Sequence, residues 1–159
     1  MTDGAEITAD LTLGFGSESI ANPEPATLGE VVRHEGLSEL CPGKVRLEGE
    51  WIHQKDYVEY AGEGMNTITV VYTGAKVSVT FSTADGSPNK LAVLEDLPPL
   101  DRDYAGVDAV DDQDHGCAVT VTTLRDYDIV NHEEVEPHEL VFEVYAKGLR
   151  VHGMKFAGL

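Results

Sequence analysis

The sequence predicts an all-β protein, an antiparallel sandwich or barrel with at most one short helix. Three observations carry this. Apolar and polar residues alternate at period two in segment after segment, Gly-, Asn- and Pro-bearing turns separate the segments, and a single stretch, Thr27–Leu40, is a candidate helix. The chain has 159 residues, the size of one domain, read here as residues 1–159. A globule of this length buries about 68–70% of its unfolded surface, enough for a substantial core.

The elements follow in order. Leu11–Phe15 is a short strand candidate. Thr27–Leu40 contains Gly29 and Gly36, each costing a helix about 1 kcal/mol relative to Ala. In Lys44–Trp51, Val45, Leu47, Gly49 and Trp51 share one face and Lys44, Arg46, Glu48 and Glu50 the other, the pattern of a strand with one buried face. Tyr57–Ala61 is a weaker strand. Met65–Thr73 is rich in β-branched residues and aligns Ile68, Val70 and Tyr72. Thr73-Gly74-Ala75 reads as a tight turn into Lys76–Ser82, where Val77, Val79 and Phe81 alternate with polar residues. Asp85–Asn89 is a polar loop, Leu91–Leu94 a short strand, and Leu97–Val110, with Pro98 and Pro99, a long surface loop. Cys117–Leu124 sets Val119 and Val121 against threonines. Leu140–Tyr145 points Leu140, Phe142 and Val144 inward, Ala146-Lys147-Gly148 turns, and Leu149–Phe156 closes the set.

Charge excludes several functions. With 29 acidic and 11 basic residues the formal net charge is −18. Phosphate neutralisation needs Lys and Arg, so nucleic acid is excluded as a partner, and anionic membranes are disfavoured. The same excess favours a basic protein partner and suits a salt-rich cytoplasm. No apolar run approaches the ~20 residues of a membrane span. MTDGAEITAD has neither the basic nor the apolar region of a signal peptide, which makes the chain cytoplasmic by default. Cys41 and Cys117, without a CxxC, read as buried free thiols.

Candidate sites are few. Trp51, the only tryptophan, is either a core residue or a platform for a sugar ring, with Tyr57, Tyr60, Tyr72, Tyr104, Tyr127 and Tyr145 as the other aromatics able to stack. The run from Val107 to Gly116 concentrates carboxylates, and Asp108, Asp111, Asp112 and Asp114 are candidate ligands for a structural calcium, although the spacing is not that of an EF-hand. A solvated acidic turn is the competing reading. The six histidines are scattered. His132-Glu133-Glu134-Val135-Glu136-Pro137-His138 is not HExxH, Pro137 forbids the helix that motif needs, and the stretch reads as a polar loop. Gly14-Phe15-Gly16 lacks the third Gly and the Lys of phosphate loops. No catalytic constellation emerges, and no cofactor is required.

Four segments, taken together, resemble a known family. Thr12-Leu13-Gly14-Phe15-Gly16 is similar to the Y-L-G-Y/F segment that opens the C-terminal β-domain of thioredoxin-like proteins of the DipZ type. Leu47-Glu48-Gly49-Glu50-Trp51 resembles its L-x-G-x-W strand. Val107-Asp108 through His115-Gly116, followed by Val119–Tyr127, resembles its V-D-x-x-G-x-G-x-V-x-x-x-R-L-Y segment. His138–Phe156 resembles its closing hairpin, with unchanged spacing. The resemblance implies a jelly-roll β-sandwich similar to carbohydrate-binding modules. In the family this domain follows a thioredoxin fold that holds the redox chemistry. This chain has neither that fold nor a CxxC, so no redox activity carries over. Val45 stands where the family often has a second Trp, and His152 where it often has an aromatic.

The expectation is therefore a non-catalytic, carbohydrate-binding-module-like accessory domain, with Trp51 and Tyr127 as sugar contacts. The alternative is a protein-interaction or structural module that oligomerises or binds a basic partner.

Overall fold

The computed structural model describes residues 6–36 and 39–159. Ten strands run in the order β1 (Leu11–Thr12), β2 (Val31–Glu35), β3 (Val45–His53), β4 (Val58–Tyr60), β5 (Asn66–Thr83), β6 (Asn89–Glu95), β7 (Val110–Asp112), β8 (Gly116–Val121), β9 (Arg125–Val144) and β10 (Leu149–Ala157). All named pairings are antiparallel. The fold is an all-β sandwich, and its only helical turn among the described residues is the 3-10 turn Arg102–Tyr104.

Two long strands organise it. β5 pairs with β9 along nearly its whole length, and both pass from one layer to the other. The first half of β5 and the second half of β9 join β3 and β6, with β8 and β7 beyond. The second half of β5 and the first half of β9 join β10, which carries β1 and β4. Between the layers lies one core, in which Ile68, Val70, Val79, Leu91, Val93, Ile129, Leu140, Val144 and Val151 are wholly buried. Phe81 meets Phe142 edge-on across it, ring centroids 5.4 Å apart, a preferred aromatic geometry.

Two local expectations are overturned. Thr27–Leu40 holds no helix among its described residues (37–38 lie outside them). Gly29 and Gly36 take φ of +78° and +71°, which no right-handed helix accommodates, and β-branched Val31 and Val32 pair with Ile52 and Trp51 on β3. Thr73-Gly74-Ala75 is not a turn. β5 runs straight through it, because Thr73 and Gly74 pair with Pro137 and Glu136 on β9, so long-range pairing overrides the local glycine signal.

The register of that pairing shapes the molecule's most polar interior. β5 advances from Gly74 to Lys76 while β9 passes from Glu136 to Asn131. Residues 132–135 therefore have no partner on β5, and β9 bulges where it changes layers. His132–His138, expected as a polar loop, is this bulged strand.

Candidate functional site

The bulge brings His132 and His138 face to face, ring centroids 4.2 Å apart and planes within 11°. β6 supplies the partners from its C-terminal end. Glu95 Oε1 is hydrogen-bonded to His132 Nε2 and lies 3.7 Å from His138 Nδ1. Its Oε2 accepts from the Tyr72 hydroxyl at 2.7 Å. Burial beside the Glu95 carboxylate pushes the Tyr72 pKa far above the ordinary phenol value, so that hydroxyl stays a donor.

The next residue completes the arrangement. Asp96 Oδ2 bonds His138 Nδ1 at 2.7 Å and Oδ1 accepts from the Glu139 amide at 2.9 Å. Although burial works the other way, these bonds hold the Asp96 carboxyl below its ordinary range. The chain reaches this pose through Asp96 at φ +54° and Leu97 at φ +93°. A bulky residue there is strained, and such strain gathers where the surrounding structure imposes a geometry. His138 Nε2 is buried and has no hydrogen-bond partner among the described residues.

Above this cluster lies an open groove of about 320 Å³ lined by Tyr104, His132, Glu133, Glu134, Glu136 and His138, near the lower end of ligand-site volumes. Tyr104 packs on His132 at 4.7 Å, yet remains at the surface with 36% of its area exposed. The 3-10 turn presents it, begun by Asp101, whose side chain accepts from the Asp103 amide.

Trp51 and Tyr127, expected as sugar contacts, are both 0% exposed. Trp51 packs against Tyr60 at 5.2 Å and donates to the Glu48 carbonyl. Tyr127 lies under the Arg125 guanidinium at 3.8 Å. Its hydroxyl accepts from the Thr122 amide and donates to the Thr123 carbonyl, which fastens the turn before β9. Neither ring offers a face to a ligand, because period-two inward positions in a sandwich are core positions.

The four aspartates do not converge either. Asp108 takes Arg125 with both oxygens and also accepts from the Asp128 amide. Asp112 pairs with Lys90 and accepts from the Asp114 and His115 amides. Asp111 pairs with Arg102, and Asp114 stands exposed. Arg125 and Lys90 hold the Asp108 and Asp112 carboxyls below their ordinary values. Among the described residues the one group of three or more His, Cys, Asp or Glu side chains close enough to share an ion is Glu95, His132 and His138. None of the four aspartates belongs to it. Glu95 precedes His132 by 37 residues, so nothing local in the sequence marks it.

Other polar contacts lie elsewhere. His34 bonds Glu24 through Nδ1 and His53 through Nε2, both at 2.9 Å. The Ser82 hydroxyl lies 2.8 Å from His152 Nε2. Cys117 is buried as expected, and burial pushes its pKa up to about 11, which makes it a poor nucleophile. Cys41 is exposed, contrary to expectation. No helix among the described residues is long and apolar enough to cross a membrane.

No curated protein matches the chain. Among solved structures it is similar to a family two carbohydrate esterase from Clostridium thermocellum in complex with cellohexaose, at 16% identity and a TM-score of 0.47. That match covers 64% of this chain and 27% of the other, so the chain spans about a quarter of that protein. The likeness is too distant to carry an argument about either fold or ligand. Residues 8–156 match the model of the thioredoxin like C-terminal domain, and with the four resembling segments in the same order along the sandwich, the chain belongs to that family.

Proposed function

We propose that the chain is a non-catalytic accessory domain of thioredoxin-like proteins and that it binds a neutral carbohydrate in the groove beneath Tyr104. One observation carries the reading: an exposed aromatic ring, braced from behind by His132, stands beside an open groove edged by Glu133, Glu134 and Glu136. A sugar ring stacks its C–H face on such an aromatic while carboxylates and imidazoles take its hydroxyls. The acidic rim favours neutral saccharides over uronates or sulfated sugars, which like charge repels.

Titration calorimetry with neutral glucan, xylan and mannan oligosaccharides tests this. The expected result is saturable binding of at least one of them, weakened at least ~10-fold in Tyr104→Ala and absent with a polyuronate. The stack, about 0.5–1.5 kcal/mol, together with the apolar area it covers, at about 25 cal/mol per Å², brings the loss to about 1.4 kcal/mol or more, which is that factor. No heat with any saccharide, or binding indifferent to Tyr104→Ala, contradicts the proposal.

A second reading, a protein-interaction module, rests on exposed apolar side chains in one connecting segment: Leu97 at 82%, Val107 at 80% and Val110 at 55%. A pull-down lost on Val107→Asp, with the groove variants unaffected, would favour it.

A further inference from the structure

We propose that Glu95, His132 and His138 form a binding site for a zinc-like transition-metal ion in the floor of the Tyr104 groove. The inference does not rest on the carbohydrate reading. One donor atom from each of the three side chains lies within 4.8 Å of the other two. Ligand atoms around a tetrahedral zinc are about 3.4 Å apart, given metal–ligand bonds of about 2.1 Å. Glu95 Oε1 and His138 Nδ1, at 3.7 Å, are already near that spacing. Two imidazoles and one carboxylate suit zinc, and the nitrogen content turns calcium away.

Three features set this cluster apart from an ordinary polar contact. Glu95 is 7% exposed, so its carboxylate is withdrawn from water that would otherwise compete for it. Asp96 holds His138 at Nδ1; for ligation through Nε2 it orients the ring as carboxylates outside a metal site do, and for ligation through Nδ1 that bond must give way to the ion. His138 Nε2 is buried with no partner, an uncompensated polar atom of the kind a native interior rarely keeps. The site is also accessible, since both histidines line the groove. An ion would therefore have three protein ligands and one position facing the opening, free for water or for a groove ligand.

Binding must move the rings. They are stacked within 11°, so their lone pairs lie in two nearly parallel planes, and one ring turns about χ2 for both to face one ion. The ion also replaces the hydrogen bond between Glu95 and His132. His138 offers Nδ1, facing the carboxylates, or the orphaned Nε2, and imidazole nitrogen chemical shifts identify which binds.

The test uses the full chain, stripped with a chelator, and titrates it with cobalt(II) and zinc. The expected result is one equivalent of cobalt, with the visible absorption of a low-coordinate N/O site, displaced by zinc and not by calcium. Zinc raises Tm, and the imidazole nitrogen signals of His132 and His138 shift. His132→Gln and His138→Gln each weaken zinc binding more than ~100-fold, since loss of even an outer-shell partner costs about 10–100-fold. Asp96→Asn weakens it ~10-fold. Tyr104→Ala leaves zinc binding within a few-fold while weakening saccharide binding at least ~10-fold, which separates failure here from failure of the carbohydrate reading. If Glu95→Gln does not fold, the histidine variants and the wild-type nitrogen shifts still decide. No saturable cobalt binding, or binding unchanged in both histidine variants and thus seated on surface carboxylates, overturns the proposal.

Discussion

His53 is 4% exposed, and burial together with the neighbouring His34 pulls its pKa down to about 4. Between that value and about 6.5 the unfolded chain binds the proton and the folded chain does not, so stability falls as pH falls through this window. His152, lowered by burial and by Arg150, acts in the same direction. Urea unfolding is expected to show a loss of about 3 kcal/mol attributable to His53 between pH 7 and pH 4, from a shift of about 2.5 units at about 1.36 kcal/mol each. His53→Gln, which keeps a hydrogen-bonding group toward His34, should flatten that slope; an unchanged slope sinks the assignment. The pairing behind this was not legible in the sequence, where all six histidines look scattered. His34 and His53 lie on the adjacent strands β2 and β3 and meet side chain to side chain although the register sets His34 opposite Gly49, and His132 meets His138 because β9 bulges. Burial was legible for Trp51 as an inward position of an alternating strand and not for Tyr127, which lies beyond the last residue of the strand read as Cys117–Leu124; whether an aromatic is covered depends on the opposite layer. Tyr104, in a segment read only as a surface loop, is one of the aromatics left at the surface, with Phe15 and Tyr145.

At the scale of the element, β3 changes partners halfway along. Val45–Leu47 pair with β5, Trp51–His53 with β4, and Gly49 sits between at φ +97°. A Cβ there would lie 2.6 Å from the Asn66 side chain. Gly49→Ala combines left-handed backbone strain with that clash and is expected to destabilise the fold by roughly 2–3 kcal/mol in urea. A loss below ~0.5 kcal/mol would mean that the kink relaxes freely. The alternating segments were legible because one face of each is buried, the condition under which period two appears. The first two-thirds of β9 was not, because its buried Tyr127, Ile129 and Val130 are embedded among charged and polar residues and the bulge at 132–135 breaks the alternation. The turn expected at Gly74 shows the same limit, since what happens there depends on a strand more than fifty residues away in the chain.

For the whole molecule, two long strands that change layers make a sandwich with a single core and concentrate polar chemistry where β9 crosses over. Ion pairs such as Arg150–Glu59 and Lys155–Asp126 neutralise only a part of the carboxylates behind the net charge of −18, and the groove rim keeps Glu133, Glu134 and Glu136 together. Family membership agrees with the resemblance in the sequence, and the residues proposed here as a site are brought together only by the tertiary structure. The most direct measurement is a backbone amide chemical-shift map of the intact chain during titration with the neutral oligosaccharides. Saturable shifts confined to Tyr104 and its turn, Glu95–Leu97 and His132–Glu139 are expected. Shifts centred elsewhere, or none with any saccharide, would contradict the carbohydrate reading.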